Sequence, residues 1–373
     1  MRRALSSATL PLYVGGFLGP FGGGAIAVLF PQLRDAFDAT TGEVALAIPA
    51  YFVPFAAFQL VSGTIGERMG RRRVVRAGYV AYAITSVAAA AAPTIGLFIV
   101  ARAASGTANA FLTPLLLAGL AEVVPRGSLG RAVGTFAAVQ TSAIALAPAV
   151  GGLLGEIDWR LAFVAPSLVA VVLAFFPPPD PERVADTEPA RLRAVLTHRV
   201  GVLSAAAFAG YAGVTSLGFL VALRCSDGFG LGSSARGAVL AVFGVAGMVT
   251  GRPSGRLVDR VGRISVTVVG AFLCAALVAL IGAAGSVATL TLLWLGAGAA
   301  SSLIWAGLNT LTIEAVPANR AGATSVISAF KFAGNAAAPA MWLPLYANDV
   351  RLAFLAAGGA SALVGALTLR LRY

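Results

Sequence analysis

Charge is scarce in this sequence. Only 11% of the residues are acidic or basic, while 58% are apolar. An ordinary soluble domain carries about 25% charged residues, so this composition excludes that class and predicts a protein that lies in a lipid bilayer. The mean hydropathy of +0.87 leads to the same prediction.

Histidine and cysteine are almost absent. His198 is the only histidine, and Cys225 and Cys274 are the only cysteines. This scarcity argues against a histidine proton relay and leaves no disulfide framework or metal-ligand cluster. The sequence also lacks a pattern typical of a catalytic triad. We therefore expect no metal, no cofactor and no enzymatic activity.

Long apolar runs are abundant instead. About 20 apolar residues cross the hydrocarbon layer, and the charge-free segment from Ile264 to Ile313 is long enough for two crossings with a turn near Gly282 to Gly285. The runs predict an all-α membrane protein with twelve transmembrane helices, near residues 10–32, 44–66, 74–92, 94–121, 131–154, 160–176, 200–223, 236–254, 264–283, 286–313, 321–345 and 350–370.

The formal net charge is +12, which by itself could indicate a nucleic-acid ligand. With the N-terminus in the cytoplasm, however, most of the 27 basic residues fall in cytoplasmic segments, as the positive-inside rule requires. The basic residues expected outside are Arg34, Arg160, Arg224, Arg236 and Arg351. We expect a multi-pass protein of the plasma membrane, with both termini cytoplasmic and no nucleic-acid partner.

One segment occurs twice, 192 positions apart. Residues 63–71 and 255–263 both read Gly-x-x-x-acid-Arg-x-Gly-Arg, and each copy lies between two apolar runs. The ends of the fourth and tenth predicted spans repeat with the same offset, in the pairs Glu122 with Glu314 and Pro125 with Pro317. A repeat at half the chain length indicates a duplicated helical bundle.

These paired segments resemble the loop signature of the major facilitator superfamily, and the resemblance covers the whole chain. It implies two pseudo-symmetric six-helix bundles, at residues 1–178 and 200–373, joined by a cytoplasmic linker at 179–199. The linker region opens with four prolines in the five residues 177–181. Within it, residues 189–196 are predicted to form a surface helix.

The resemblance assigns a cytoplasmic gate to the paired loops. The gate residues are Gly63, Glu67, Arg68, Gly70, Arg71 and Arg72 in the first copy and Gly255, Asp259, Arg260, Gly262 and Arg263 in the second. We expect Glu67 and Asp259 to accept hydrogen bonds from arginines and from helix N-termini of the opposite bundle. The alternative is that these charges only fix the topology.

Two further acids belong to the predicted gate. Glu122 and Glu314 lie at the inner ends of the fourth and tenth spans. We expect Glu122 to pair with Arg71 or Arg72, and Glu314 to pair with Arg263.

Other motifs also match the superfamily. The fourth span contains Arg102 followed by small residues, with Ala108 where glycine is usual. The fifth span keeps Pro148, Gly151 and Gly152 of the turn found in exporters of this superfamily but lacks its first glycine. This turn favours export over uptake, although close helix packing would explain the same residues.

The middle of the predicted spans holds cations but no carboxylate. None of the fifteen acidic residues lies there, whereas Lys331 and Arg102 do. An intramembrane charge costs at least about 2.5 kcal/mol and is therefore a functional candidate by default. Lys331 lies eight residues before Pro339, as Gln140 lies eight residues before Pro148.

Three roles remain open for Lys331: it pairs with an anionic substrate, it exchanges a proton, or it only packs. Arg102 is open in the same way, between a functional and a structural role. The resemblance places the following residues around a substrate cavity: Lys331, Arg102, Gln140, Asn109, Asn309, Asn335, Tyr211 and Trp305. Glycines interrupt the first span at residues 22–24 and the seventh span at residues 210–218, and paired breaks of this kind indicate a binding site and its gates.

These patterns predict a monomeric secondary transporter that exports a small organic solute by alternating access, driven by a proton or another coupling ion. One alternative is transport or exchange of an organic anion, with Lys331 and Arg102 as counter-charges. Another is a non-transporting receptor on the same fold, against which the two intact loop motifs argue.

Overall fold

The computed structural model describes residues 2–125, 128–180, 197–316 and 320–372, without the side chains of residues 2–8, 64, 67, 130, 131, 320–322 and 372. The chain divides into two compact units, Met1–Thr187 and Glu188–Tyr373. Residues 181–196, which include the predicted surface helix and most of the predicted linker, lie outside the described residues.

The first unit is built from helices in the order of the first six predicted spans. They are α1 (Arg2–Gly24), a 3-10 segment (Ala25–Leu29), α2 (Phe30–Phe37), α3 (Thr41–Ala45), α4 (Ala47–Met69), α5 (Arg71–Ala90), α6 (Ile95–Ala110), α7 (Thr113–Val123), α8 (Leu129–Ile157) and α9 (Leu161–Leu173). One cluster of buried side chains in this unit contains Tyr79, Tyr82, Leu116 and Phe136.

The second unit repeats this order for the remaining six spans. It contains α10 (His198–Gly210), a π-helical segment (Tyr211–Thr215), α11 (Gly218–Phe229), α12 (Ser233–Val261), α13 (Arg263–Ile281), α14 (Val287–Ala315), α15 (Arg320–Asn348) and α16 (Val350–Leu369). The chain turns between Ile281 and Val287, which confirms the predicted division of the long charge-free run.

Every predicted span coincides with a helix or a run of helices. Within the described ranges, nine of these are long and apolar enough to cross a membrane, and α9 is apolar but shorter. The other two predicted spans are filled by α5 and α15. The prediction of an all-α membrane fold is therefore confirmed.

Side-chain caps fix where several helices begin. Thr94 accepts a hydrogen bond from the backbone N–H of Leu97 at 3.3 Å, at the start of α6. Ser286, 192 positions later, does the same for Thr289 at 3.1 Å, at the start of α14. Such caps satisfy N–H groups that have no partner within the helix. The internal repeat therefore extends to the residues that cap these two helices.

The first span changes its helix type at the predicted glycines. α1 ends at Gly24, and a 3-10 segment follows from Ala25 to Leu29. α8 packs against this segment closely, because a Cβ added at Gly151 would lie 3.2 Å from the Cβ of Ala25. α8 itself is continuous from Leu129 to Ile157, so the residues from Pro148 to Gly152 are helical and do not form the predicted turn.

Candidate functional site

Lys331 lies on α15 and faces neutral partners on α14. Its Nζ donates a hydrogen bond to Oδ1 of Asn309 at 3.0 Å and lies 5.0 Å from the ring centroid of Trp305. Trp305 and Asn309 are one helical turn apart, so both side chains project from the same face of α14. Among the described residues, no carboxylate forms an ion pair with Lys331.

Two more aromatic rings extend this group. The ring of Tyr211 packs edge-on against Trp305, with centroids 4.9 Å apart, and lies 6.1 Å from the ring of Phe332. We call Tyr211, Trp305, Asn309 and Lys331 the lysine cluster. Asn335 is half-buried one turn after Lys331 on α15. The cluster combines one cation, an amide and aromatic faces, which suits an amphipathic or anionic organic group.

Tyr211 also opens the π-helical segment that interrupts the seventh span. A π-helical turn replaces the usual i→i+4 backbone hydrogen bonds by i→i+5 bonds, as between the N–H of Ser216 and the carbonyl of Tyr211 at 3.0 Å. Two side chains from other helices supply donors here: Nε1 of Trp342 donates to the carbonyl of Ala212 at 2.8 Å, and Oγ of Ser361 donates to the carbonyl of Gly213 at 3.1 Å. The predicted break is therefore a defined structure beside the lysine cluster.

Replacing Trp342 with phenylalanine should destabilise the protein. The indole N–H would be lost, and a buried carbonyl left without its donor costs about 1–3 kcal/mol. Trp294→Phe is the matched control, because Trp294 is also buried but donates at 3.3 Å to Leu240 in the continuous helix α12. We expect Trp342→Phe to lower the thermal unfolding midpoint in detergent more than the control does. Equal losses would contradict this assignment.

Arg102 is buried within the helix packing of the first unit. Only 2% of the residue is exposed. Its Nη1 donates to the carbonyl of Gly22 at 3.0 Å, and its guanidinium lies over the ring of Tyr51, 4.3 Å from the centroid. Asn109, also buried, donates to the Tyr51 hydroxyl at 2.8 Å. Arg102 and Asn109 thus hold α1 against α4 and α6, whereas Gln140 is half-buried on α8.

The second unit contains the same packing arrangement with different chemistry. Trp294 occupies the position equivalent to Arg102, and Phe243 occupies that of Tyr51, with the same offset of 192. Their rings stack with centroids 4.4 Å apart and an interplanar angle of 26°. An indole thus fills the place that the guanidinium fills in the first unit. This equivalence supports a packing role for Arg102, which is one of the two roles that the sequence leaves open.

Glycines permit the close approach in both units. A Cβ added at Gly106 would collide with the backbone carbonyl of Tyr51, and one added at Gly298 would collide with that of Phe243. These two glycines are also 192 positions apart. Small residues at membrane helix interfaces allow such backbone contact.

Each loop signature contains a turn and an ion pair. Gly70 and Gly262 adopt positive φ values of 90° and 96°, where a side chain would be strained. Both expected ion pairs form: Nη1 of Arg71 lies 3.6 Å from Oε1 of Glu122, and Nε of Arg263 lies 2.7 Å from Oε2 of Glu314. Each pair joins the start of one helix to the end of another within its own unit.

The remaining gate residues flank these turns. Arg68 and Arg72 are exposed beside the first turn, Asp259 and Arg260 are exposed beside the second, and Gly63 and Gly255 are half-buried on α4 and α12. The side chain of Glu67 lies outside the described residues. The gate role of all these residues therefore stays a prediction.

Comparison with known proteins identifies the family. The model of the Major Facilitator Superfamily matches residues 12–339. The chain belongs to the Major Facilitator Superfamily.

Several curated members of the Major Facilitator Superfamily align with part of the chain. EfpA of Mycobacterium tuberculosis, an uncharacterised MFS-type transporter, is 28% identical over 40% of this chain and 28% of its own length. The multidrug efflux pump LfrA of Mycolicibacterium smegmatis is 31% identical over 42% of this chain and 32% of its own. The MFS-type transporter YceJ of Bacillus subtilis is 24% identical over 68% of this chain and 67% of its own. The chain thus spans less than a third of the length of EfpA and LfrA.

Solved structures of the superfamily share the fold. A bacterial homologue of the human lysosomal transporter Spinster covers 98% of this chain and 96% of its own, with a TM-score of 0.81 and 17% identity. A D-xylose–proton symporter covers 96% of both chains, with a TM-score of 0.78 and 16% identity. Together with the family match, this similarity establishes a multi-pass membrane protein.

One contact at the superfamily loop was missed by sequence reasoning. Oδ1 of Asp180 accepts a hydrogen bond from the backbone N–H of Arg72 at 2.9 Å, so an acid of the predicted linker binds the N-terminus of α5. Pro178 packs on Gly119 of α7 in the same region. The signal was present, because Asp180 is the one acid within the proline run, but nothing in the sequence indicates which way the linker folds.

Proposed function

We propose that this chain is a secondary active transporter that exports a small organic solute across the plasma membrane by alternating access. Membership of the superfamily supports transport, and the efflux relatives support export. The same comparisons indicate a transporter and not an enzyme. The charge distribution supports cytoplasmic termini, with residues 1–178 and 200–373 as the two moving bundles and 179–199 as their linker.

The lysine cluster is the observation that supports our choice of the solute-binding site. An ammonium group inside a membrane helix is costly unless it has a function or a partner. Lys331 has an amide oxygen and an indole ring, which satisfy its hydrogen bonding and its charge only in part. We infer that the remaining interaction comes from the solute or from the coupling ion.

Transport or exchange of an organic anion is the second candidate. The absence of a carboxylate partner for Lys331 among the described residues favours it, since a substrate carboxylate or phosphate would complete the pair. Arg102 is a weaker candidate for the anion's counter-charge than Lys331, because its guanidinium already contacts Gly22 and Tyr51 inside the first unit.

A solute panel in proteoliposomes tests both candidates. Purified protein would be reconstituted as a monomer and offered neutral, cationic and anionic organic compounds under imposed pH and voltage gradients. Movement of drug-like compounds against their gradient supports the exporter, and exchange limited to anions supports the second candidate. Binding of a compound without movement under any gradient would contradict both and favour a receptor.

The ion pairs at the two loop signatures should bias the conformational equilibrium. Glu314→Gln breaks the 2.7 Å pair with Arg263 and Glu122→Gln breaks the 3.6 Å pair with Arg71. Because partly exposed pairs contribute about 0.2–1 kcal/mol, cysteine labelling of the inner cavity should increase by up to about fivefold, and more for Glu314→Gln. The same assay tests Glu67→Gln and Asp259→Asn.

A charge exchange provides the control for these variants. The double variant Arg263→Glu, Glu314→Arg keeps both charges and should return the labelling rate towards that of the wild type. Unchanged labelling in every single variant would show that these charges only fix the topology.

A further inference from the structure

An apolar groove runs along the outer surface of the first unit. It is lined by Leu10, Pro11 and Val14 of α1 and by Leu168, Val172 and Phe176 at α9, and it encloses about 560 Å³. This volume lies within the range of about 300–1,000 Å³ that small-molecule sites occupy. The exposed fraction is 57% for Val172 and 63% for Leu168, so the groove is open to its surroundings.

Positive charge lies at one end of this groove. Nε of Arg76, on α5, donates to the carbonyl of Ala174 at 3.2 Å, between the groove residues Leu173 and Phe176. A guanidinium has five N–H donors, and this contact uses one of them. Arg76 is exposed, so its other donors can reach a ligand at the membrane surface.

The neighbouring charges leave this end basic. Arg72 and Arg73 are exposed one helical turn before Arg76 on α5, where residues three and four apart share a face. Among the described side chains, two acids contact the start of α5: Asp180 binds the backbone N–H of Arg72, and Glu122 pairs with Arg71. Within this described part of the chain, the three exposed arginines therefore outnumber the one carboxylate beside them that has no ion-pair partner.

The groove is short compared with the membrane. Eight residues separate Leu168 from Phe176, which corresponds to about 12 Å at 1.5 Å per residue. The hydrocarbon core is about 30 Å thick, so the groove lies within one leaflet, the one on the side of the loop signatures. A second transmembrane helix would need a contact surface that continues through the bilayer, so a groove of this length suits a single lipid acyl chain better.

We propose that this groove binds one acyl chain of an anionic phospholipid, whose phosphate is held by Arg76 with support from Arg72 and Arg73. The apolar wall matches the chain, and the basic end matches the headgroup at the depth where a leaflet places its phosphates. This site is independent of the transported solute and of the lysine cluster.

Native mass spectrometry of the purified full-length protein tests the site. The probes are phosphatidylglycerol and phosphatidylcholine with identical acyl chains. Because each arginine near the surface favours an anionic lipid about fivefold, the wild type should retain phosphatidylglycerol at least about fivefold better. Arg76→Gln should lower this preference about fivefold, and Arg76→Lys should keep most of it, which separates loss of charge from loss of the Ala174 contact.

A bulky side chain tests the groove itself. Val172→Trp should fill it and reduce retention of both lipids, whereas Val269→Trp should not. Val269 is the matched control because it is a similarly exposed valine in the N-terminal half of α13 in the other unit, outside this groove. Equal retention of the two lipids by the wild type, an unchanged preference in Arg76→Gln, or equal effects of the two tryptophans would overturn the proposal. A dimer that excludes lipid would assign the groove to a second copy of the chain.

Discussion

Replacing Lys331 with glutamine should weaken solute binding by more than tenfold, because removing one member of a charge pair in a partly dry site costs about 2–5 kcal/mol. The lysine donates to Asn309 and lies over Trp305, so its charge is held by groups that cannot neutralise it. The variant should fold, since glutamine also occurs at the matching position of the first unit, Gln140. Isothermal titration with a solute identified in the transport panel measures the change.

The same variant separates the three roles that the sequence leaves open for Lys331. If the lysine binds an anion, affinity should depend on solute charge, and Lys331→Arg should retain part of it. If the lysine exchanges a proton, the pH dependence of transport should disappear in Lys331→Gln. Phe330→Leu is the control for general disturbance of α15, because Phe330 is an exposed residue of the same helix outside the predicted cavity. Unchanged affinity and pH profile in Lys331→Gln would leave only a packing role and would remove the lysine cluster as the site.

Gly106→Ala and Gly298→Ala should each strongly reduce the yield and thermal stability of the protein. The added methyl group would meet the backbone of Tyr51 or of Phe243, and a helix backbone cannot move aside as a flexible side chain can. Overpacking of this kind costs about 1–3 kcal/mol, and occasionally more. Because both glycines have the same place in the repeat, both variants should fail to a similar degree in fluorescence-detected size exclusion and in thermal unfolding.

Two other glycines provide matched controls for this test. A Cβ at Gly134 of α8 or at Gly251 of α12 would meet nothing within 4 Å. Alanine is preferred over glycine in a helix by about 0.8–1.0 kcal/mol, so Gly134→Ala and Gly251→Ala should be neutral or slightly stabilising. If all four variants behaved alike, close backbone approach would not be the reason for glycine at positions 106 and 298.

The sequence predicts those features that depend on solvent or on local chemistry. Apolar runs must cross the bilayer, so all twelve spans could be placed within a few residues. The paired motifs predicted that Glu122 pairs with Arg71 or Arg72 and that Glu314 pairs with Arg263, because they fix which helix ends carry opposite charges. The ion pairs form with Arg71 and Arg263. The break at Gly210 to Gly218 was also predicted, since repeated glycines weaken a helix.

Features that depend on which face of a helix meets which neighbour could not be predicted. An arginine in the middle of a span is compatible with a cavity or with helix packing, and the sequence does not show that Tyr51 and Gly22 lie around Arg102. Pro148 suggested a turn, but α8 continues through it because a proline in a membrane helix need not end that helix. The position of Asp180 depends on how the proline-rich start of the linker folds, and residues 177–181 show no periodic pattern.

The π-helical segment has a consequence for the biosynthesis of the protein. The carbonyl of Ala212 obtains its donor from a residue made 130 positions later, and that of Gly213 from a residue made 148 positions later. A backbone group left unpaired in hydrocarbon costs several kcal/mol. The seventh span therefore lacks these two side-chain donors until α15 and α16 have been made. We expect a nascent chain that stops before α16 to expose more polar backbone to the bilayer than the finished protein does.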